Sequence, residues 1–98
     1  MPKKIILHLQ SAQEIEELIY NCDNYRSALA HNDDPVRSAI VSWHVRNVAN
    51  RLLIRYRNGA TKTTAVLTLP ESLALYELST WSGCGTYTAI NIQNQLKH

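Results

Sequence analysis

Apolar and polar residues alternate along two short stretches of the chain, one in each half. The first stretch, residues 3–9, places apolar side chains on one face at every second position: Ile5, Leu7 and Leu9. The second stretch, residues 63–69, does the same: Ala65, Leu67 and Leu69. A period of two residues is typical of a strand with one buried face. The pattern therefore predicts two β-strands.

Helical periodicity of three to four residues follows each predicted strand. Ser11 and Glu14 have the spacing of a capping box, so a helix is expected to begin directly after Ser11. A second helix is expected to begin at the Asp34-Pro35 pair, because Asp is a preferred N-cap and Pro suits the first helical position. The chain between these two starts is therefore predicted to form one helix and a short loop.

The end of the second helix has two interpretations. The Asn-Gly pair at 58–59 can end a helix. Residues 52–57 also alternate, however, and Asn-Gly between two alternating runs is a hairpin signature. An apolar stripe that runs unbroken from Val41 to Tyr56 favours the helix. We therefore expect a two-stranded sheet, which would have three strands if the hairpin formed instead.

The two halves of the chain resemble each other at a constant offset. Matching positions hold the same residue: Leu7 and Leu67, Leu9 and Leu69, Glu17 and Glu77, Leu18 and Leu78. In the second half, Pro70 is expected to open a third helix and Thr86 to cap a fourth. The chain is thus predicted to be a single α+β domain, residues 1–98, with a small sheet packed against four helices. Its duplicated strand–helix–helix units are predicted at about 3–57 and 62–97.

Composition restricts the cellular setting more than it indicates a function. The 98 residues are 45% hydrophobic, as in an ordinary globular domain. No apolar run approaches the roughly 20 residues of a transmembrane helix, and no signal-peptide pattern opens the chain. We therefore expect a cytoplasmic protein that does not enter a membrane and keeps its two cysteines reduced.

No residue pattern indicates catalysis, a cofactor or a metal. Cys84, between two glycines, is the one candidate nucleophile, but no histidine with an orienting partner can be assigned to it. A small apolar filler in a tight turn is the favoured interpretation of that cysteine. The four histidines lack the spacing of metal ligands, and no glycine-rich phosphate loop is present. We therefore predict a protein that is not an enzyme.

A basic stripe on the second helix makes nucleic-acid binding the alternative function. On a helix at 36–57 these side chains share a narrow arc, which two later residues extend: Arg37, His44, Arg51 and Arg55, then Arg57 and Lys62. Arginines of this kind position phosphates. The same arginines can instead pair with acidic residues of the first helix, of which the candidates are Glu14, Glu17 and Asp23. A net charge of +2 neither supports nor excludes nucleic-acid binding. We favour the intramolecular pairing.

Protein association, most simply as a homodimer, is the function that the sequence favours. Two strands alone make a poor sheet with two open edges, and such edges tend to pair with another chain. Ile6 and Val66 are expected to point away from the core. Trp43 and Trp81 are further interface candidates, because tryptophan combines a large apolar body with a polar tip. Alternatively, elements of the same chain cover the sheet and lysines guard its edges: Lys3, Lys4 and Lys62.

Overall fold

Two antiparallel strands and four helices form residues 5–96, the part of the chain that the computed structural model describes. In chain order the elements are β1 (Ile5–Leu9), α1 (Ala12–Leu29), α2 (Pro35–Arg57), β2 (Thr63–Leu67), α3 (Leu69–Thr80) and α4 (Thr86–Gln95). The predicted α+β class is therefore confirmed. The order strand, helix, helix occurs twice, but the duplication of a unit is not confirmed and stays a prediction. Lys3, Lys4 and Lys97 lie outside the described residues.

The second helix continues without interruption through residues 52–57, so the helical interpretation is correct and the hairpin is wrong. At its start the Asp34 carboxylate accepts a hydrogen bond from the Arg37 N–H (3.1 Å), and Pro35 occupies the first turn. At its end Gly59 adopts φ +83°, a conformation that disfavours other residues. The predicted cap residues thus determine both ends of α2.

The second strand ends at Leu67, two residues earlier than predicted, because Thr68 caps α3. The Thr68 hydroxyl accepts a hydrogen bond from the Glu71 N–H (3.2 Å), and the Glu71 carboxylate accepts one from the Thr68 N–H (2.9 Å). This reciprocal arrangement is a capping box. Leu69 is consequently the first residue of α3 and is exposed, whereas Leu9 is buried. The predicted equivalence of Leu9 and Leu69 is therefore wrong.

Alternate residues of both strands and one face of each helix bury their apolar side chains together. β1 pairs with β2 in a register that sets Leu7 opposite Ala65, and both side chains point into the core. Helix residues at a period of three to four complete this core: Ile15, Leu18, Cys22, Val45, Val48, Leu52, Leu75, Leu78 and Ile92. The predicted core stripe of α2 is thus confirmed, and it leaves the opposite face of α2 toward solvent.

A buried asparagine on α1 holds the turn between α3 and α4. The Asn21 Nδ2 donates to the Glu17 carbonyl (2.8 Å) and to the Thr88 hydroxyl (3.2 Å), and the Asn21 Oδ1 accepts from the Gly85 N–H (3.0 Å). Gly85 is the N-cap of α4, which has no side-chain cap of its own. The prediction that Thr86 caps α4 is therefore wrong, because Thr86 is its first helical residue.

Replacing Asn21 with alanine is expected to lower the free energy of unfolding by about 2 kcal/mol, because the buried Thr88 hydroxyl loses its donor and the Gly85 N–H loses its acceptor. Asn24, which is one turn further along α1 and half-buried, offers a matched control. Urea denaturation should show a loss of less than about 0.5 kcal/mol for Asn24→Ala. Equal losses in the two variants would contradict the role assigned to Asn21.

Candidate interaction surface

Arg51 is bound to a buried carboxylate of the same chain. Its Nη1 lies 2.8 Å from Glu71 Oε2, its Nη2 donates to Glu71 Oε1 (3.0 Å), and the same Nη2 donates to the Val66 carbonyl (3.2 Å). Burial by itself raises the pKa of Glu71, but hydrogen bonds from Arg51 and Thr68 outweigh it and hold that pKa below its ordinary value. The hydrogen bond to Glu71 raises the pKa of Arg51. This guanidinium therefore has a structural function.

Two more of the predicted phosphate-binding arginines contact partners within the chain. Arg37 forms an ion pair with Glu77 of α3. Arg55 Nη1 donates to the Thr63 hydroxyl and to the Thr64 carbonyl of β2. The prediction of intramolecular pairing is thus correct in kind. The predicted acidic partners on α1 (Glu14, Glu17 and Asp23) are wrong, because α3 lies beside this face of α2 and α1 lies on its other side.

The remaining members of the basic set do not join these three in one surface. Arg57 and Lys62 are exposed, and within residues 5–96 neither belongs to an ion pair. His44 is half-buried beside α3, near Arg37. The basic stripe that the sequence predicts is therefore not one continuous surface. Its members lie against α3, against the edge of β2, or at the end of α2.

Side chains of the same chain bind both edges of the sheet. The main chain of His8 on β1 forms two hydrogen bonds with the Gln95 amide of α4, at 2.6 Å for the N–H and 2.9 Å for the carbonyl. On β2 the outward carbonyls accept from guanidinium groups: that of Val66 from Arg51 and that of Thr64 from Arg55. Edge-to-edge pairing with another sheet would have to displace these bonds.

The four residues predicted to form an interface have different surroundings. Ile6 and Val66 pair across the sheet and are exposed, as expected, but they form only a small patch. Trp81 packs against the core, with its ring centroid 5.4 Å from that of Tyr25. Trp43 is 60% exposed on the outer face of α2. Trp43 is therefore the candidate that leads to a larger apolar surface.

An open groove of about 420 Å³ lies between α2 and α3. Val36 and Ile40 of α2 face Leu73 of α3 across it, and the Arg37–Glu77 ion pair bounds it. These apolar side chains are 69%, 56% and 49% exposed, respectively. We call this feature the α2–α3 groove. Apolar groups with this exposure stay in contact with water unless a ligand or partner covers them.

A line of residues on the outer face of α2, all exposed except the half-buried Asn47, continues the apolar wall of the groove. It follows a spacing of four and three residues, which keeps its members on one helix face: Val36, Ile40, Trp43, Asn47, Asn50 and Ile54. We call it the α2 ridge. Only the apolar stripe of α2 that enters the core was predicted from the sequence, and this second line of residues was not. Apolar residues at 36, 40 and 43, outside the core stripe, were the available signal.

Neither cysteine has the surroundings of a nucleophile. Burial raises the pKa of the Cys84 thiol. Burial raises the pKa of the Cys22 thiol more strongly, and the nearby Asp23 adds to this effect. A raised pKa leaves little reactive thiolate at neutral pH. Among residues 5–96 there is no group of three or more potential metal ligands. In the same part of the chain no helix has both the length and the apolar character needed to cross a bilayer.

No protein-family model, curated protein sequence or solved structure matches this chain.

Proposed function

We propose that this protein acts by self-association, as a homodimer whose interface is the α2 ridge and the α2–α3 groove, and not as an enzyme. The exposed apolar surface on and beside α2 is the observation that carries the proposal. Its main side chains, on two helices, are Val36, Ile40, Trp43, Leu69 and Leu73. Each is about half or more exposed, so together they leave on the order of several hundred Å² of apolar surface in water, the size of the largest patches on monomeric proteins.

The extent and shape of this surface support a second copy as the occupant. A standard interface buries about 800 Å² on each partner, of which a little over half is apolar. The patch therefore supplies about the apolar area that one subunit needs. A ridge that borders a groove is also self-complementary, because each copy can set its ridge into the groove of the other. Such an interface uses the same residues twice and closes at two subunits.

Two other candidates have less support. Pairing of sheet edges would compete with the hydrogen bonds of Gln95, Arg51 and Arg55. Nucleic-acid binding by residues 36–57 would need arginines that already have partners: Arg37, Arg51 and Arg55. The homodimer through α2 requires no such rearrangement.

The test is sedimentation equilibrium from low to high micromolar concentration. We expect a monomer–dimer equilibrium with a dissociation constant on the order of micromolar. Ile40→Glu should weaken it by about 100-fold or more, because each dimer would then bury two unpaired carboxylates at its interface. Circular dichroism should show an unchanged helix content, because Ile40 is exposed in the subunit.

Ile90 on α4 supplies the matched control. It is 53% exposed, almost the same as Ile40, and it lies on a different helix. Ile90→Glu should leave the dissociation constant unchanged. A wild-type chain that stays monomeric at high micromolar concentration, or an Ile90→Glu variant as disruptive as Ile40→Glu, would overturn the proposal.

A further inference from the structure

We infer that the two copies pair their α2 helices antiparallel, about a two-fold axis at the level of Val45, with the acidic start of each helix against the basic end of the other. This arrangement rests on the proposed homodimer and adds the orientation and register of its subunits. Two features of the chain, the position of the α2 ridge and the distribution of charge along α2, carry the inference.

The α2 ridge fixes the register. Its outermost apolar members are Val36 and Ile54, so its midpoint is at the level of Val45. A two-fold axis at this level sets Val36 opposite Ile54 of the second copy. It also sets Trp43 opposite Asn47 of the second copy, where the indole N–H can donate to the amide oxygen. A shift by one turn in either direction would leave an apolar end of each ridge in water.

The charges of α2 fix the orientation. Asp33 and Asp34 lie at its start, where the charge of Arg37 is paired with Glu77 of α3. The other arginines follow toward its end: Arg46, Arg51, Arg55 and Arg57. Residues 35–57 include no acidic side chain. A parallel pair of helices would set Asp33 against Asp33 and Arg57 against Arg57. The antiparallel pair converts both repulsions into attractions.

Asp33 and Arg57 are the charges that can form this contact. With the axis at the level of Val45, Asp33 of one copy is at the level of Arg57 of the other. Both residues are exposed, and within residues 5–96 neither takes part in an ion pair. Asp34, in contrast, already accepts a hydrogen bond at the N-terminus of α2.

Arg46 has the opposite effect in this arrangement. It is exposed and only one residue from the level of the axis, so its two copies approach each other. Like charges at such a distance oppose association. Removing the charge of Arg46 is therefore expected to tighten the dimer, whereas changing the charge of Arg57 is expected to weaken it. Opposite effects on dimer affinity from substitutions at Arg46 and Arg57, two arginines of one helix, are specific to this register.

The experiment measures the dimer dissociation constant of four variants by sedimentation equilibrium. Asp33→Arg and Arg57→Asp should each weaken the dimer by about 10-fold, because each sets two like-charge contacts at the ends of the interface. The double variant Asp33→Arg/Arg57→Asp should return to within about threefold of the wild type, because it reverses both partners. Arg46→Gln should tighten the dimer by about threefold.

Failure of this inference can be told apart from failure of the homodimer. A dimer that is disrupted by Ile40→Glu but does not respond to Asp33→Arg or Arg57→Asp would overturn the antiparallel register alone. So would a double variant as weak as the single ones, or a loss of affinity in Arg46→Gln. A monomeric wild-type chain would overturn both proposals.

Discussion

Replacing Leu75 with alanine is expected to lower the free energy of unfolding by about 3 kcal/mol, because it removes a fully buried side chain and leaves a cavity. Leu75 is 0% exposed and belongs to the core that the strands and helices share. In a chain of 98 residues this loss corresponds to a fall in Tm on the order of 15 °C. Urea denaturation at low protein concentration, where the dimer dissociates, measures it directly.

Leu73 is the control for this substitution. It lies two residues earlier on the same helix, has the same side chain and is exposed in the α2–α3 groove. Leu73→Ala should change subunit stability by less than about 1 kcal/mol. It should weaken the proposed dimer, whose interface contains this residue. Equal losses of stability at 73 and 75 would show that α3 does not bury the face described above.

Replacing Arg51 with alanine is expected to lower the free energy of unfolding by about 2–3 kcal/mol, because the Glu71 carboxylate stays buried without its guanidinium. The Val66 carbonyl also loses its donor. This figure is below the full cost of breaking a buried pair, because Arg51 itself is partly exposed to solvent. Arg46→Ala, which removes an exposed arginine of the same helix, should cost less than about 0.5 kcal/mol.

The effect of Arg51→Ala should depend on pH. In the wild type the pKa of Glu71 is lowered, so its contribution to stability is present above the unfolded pKa of about 4.3 and is lost as the pH falls through the folded pKa. Without Arg51, burial should raise the pKa of Glu71. Wild type and variant should therefore differ most near neutral pH and least near pH 3. A difference that is constant over this range would mean that the ion pair is not its source.

This ion pair also affects how nucleic-acid binding can be tested. Reversing the charge of Arg51 would set two carboxylates together in a buried position, so any loss of binding would be confounded by unfolding. Arg57 and Lys62 are exposed and can be changed with little effect on the fold. Nucleic-acid binding that weakens in Arg57→Glu and Lys62→Glu, and declines with salt, would support the alternative function.

Signals that act within a few residues could be predicted from the sequence. Asp34 and Pro35 indicated the start of α2, and alternation indicated both strands, because caps and local periodicity depend on neighbours along the chain. The capping box of Thr68 and Glu71 was visible in the same way, but the alternating pattern was extended past it. That competition between two local signals caused the error at the end of β2.

The candidate site was less accessible to prediction. Trp43 was identified for its residue type, whereas Ile40 and Leu73 were not, because a groove exists only where two helices meet. The spacing of the arginines correctly predicted that they share one face of α2. It did not show that Arg37 and Arg51 on this face contact α3. Their partners are 40 and 20 residues away along the chain, so no local pattern could identify them.

The sequence by itself thus determined the order of strands and helices, most of their ends and the faces that enter the core. These properties follow from hydrogen bonding and periodicity within each segment. The tertiary structure alone decided which carboxylates neutralise the arginines, which side chains bind the sheet edges and where apolar groups remain in water. The physical reason is that burial and ion pairing depend on distances in space, which are set only when segments far apart in sequence pack together.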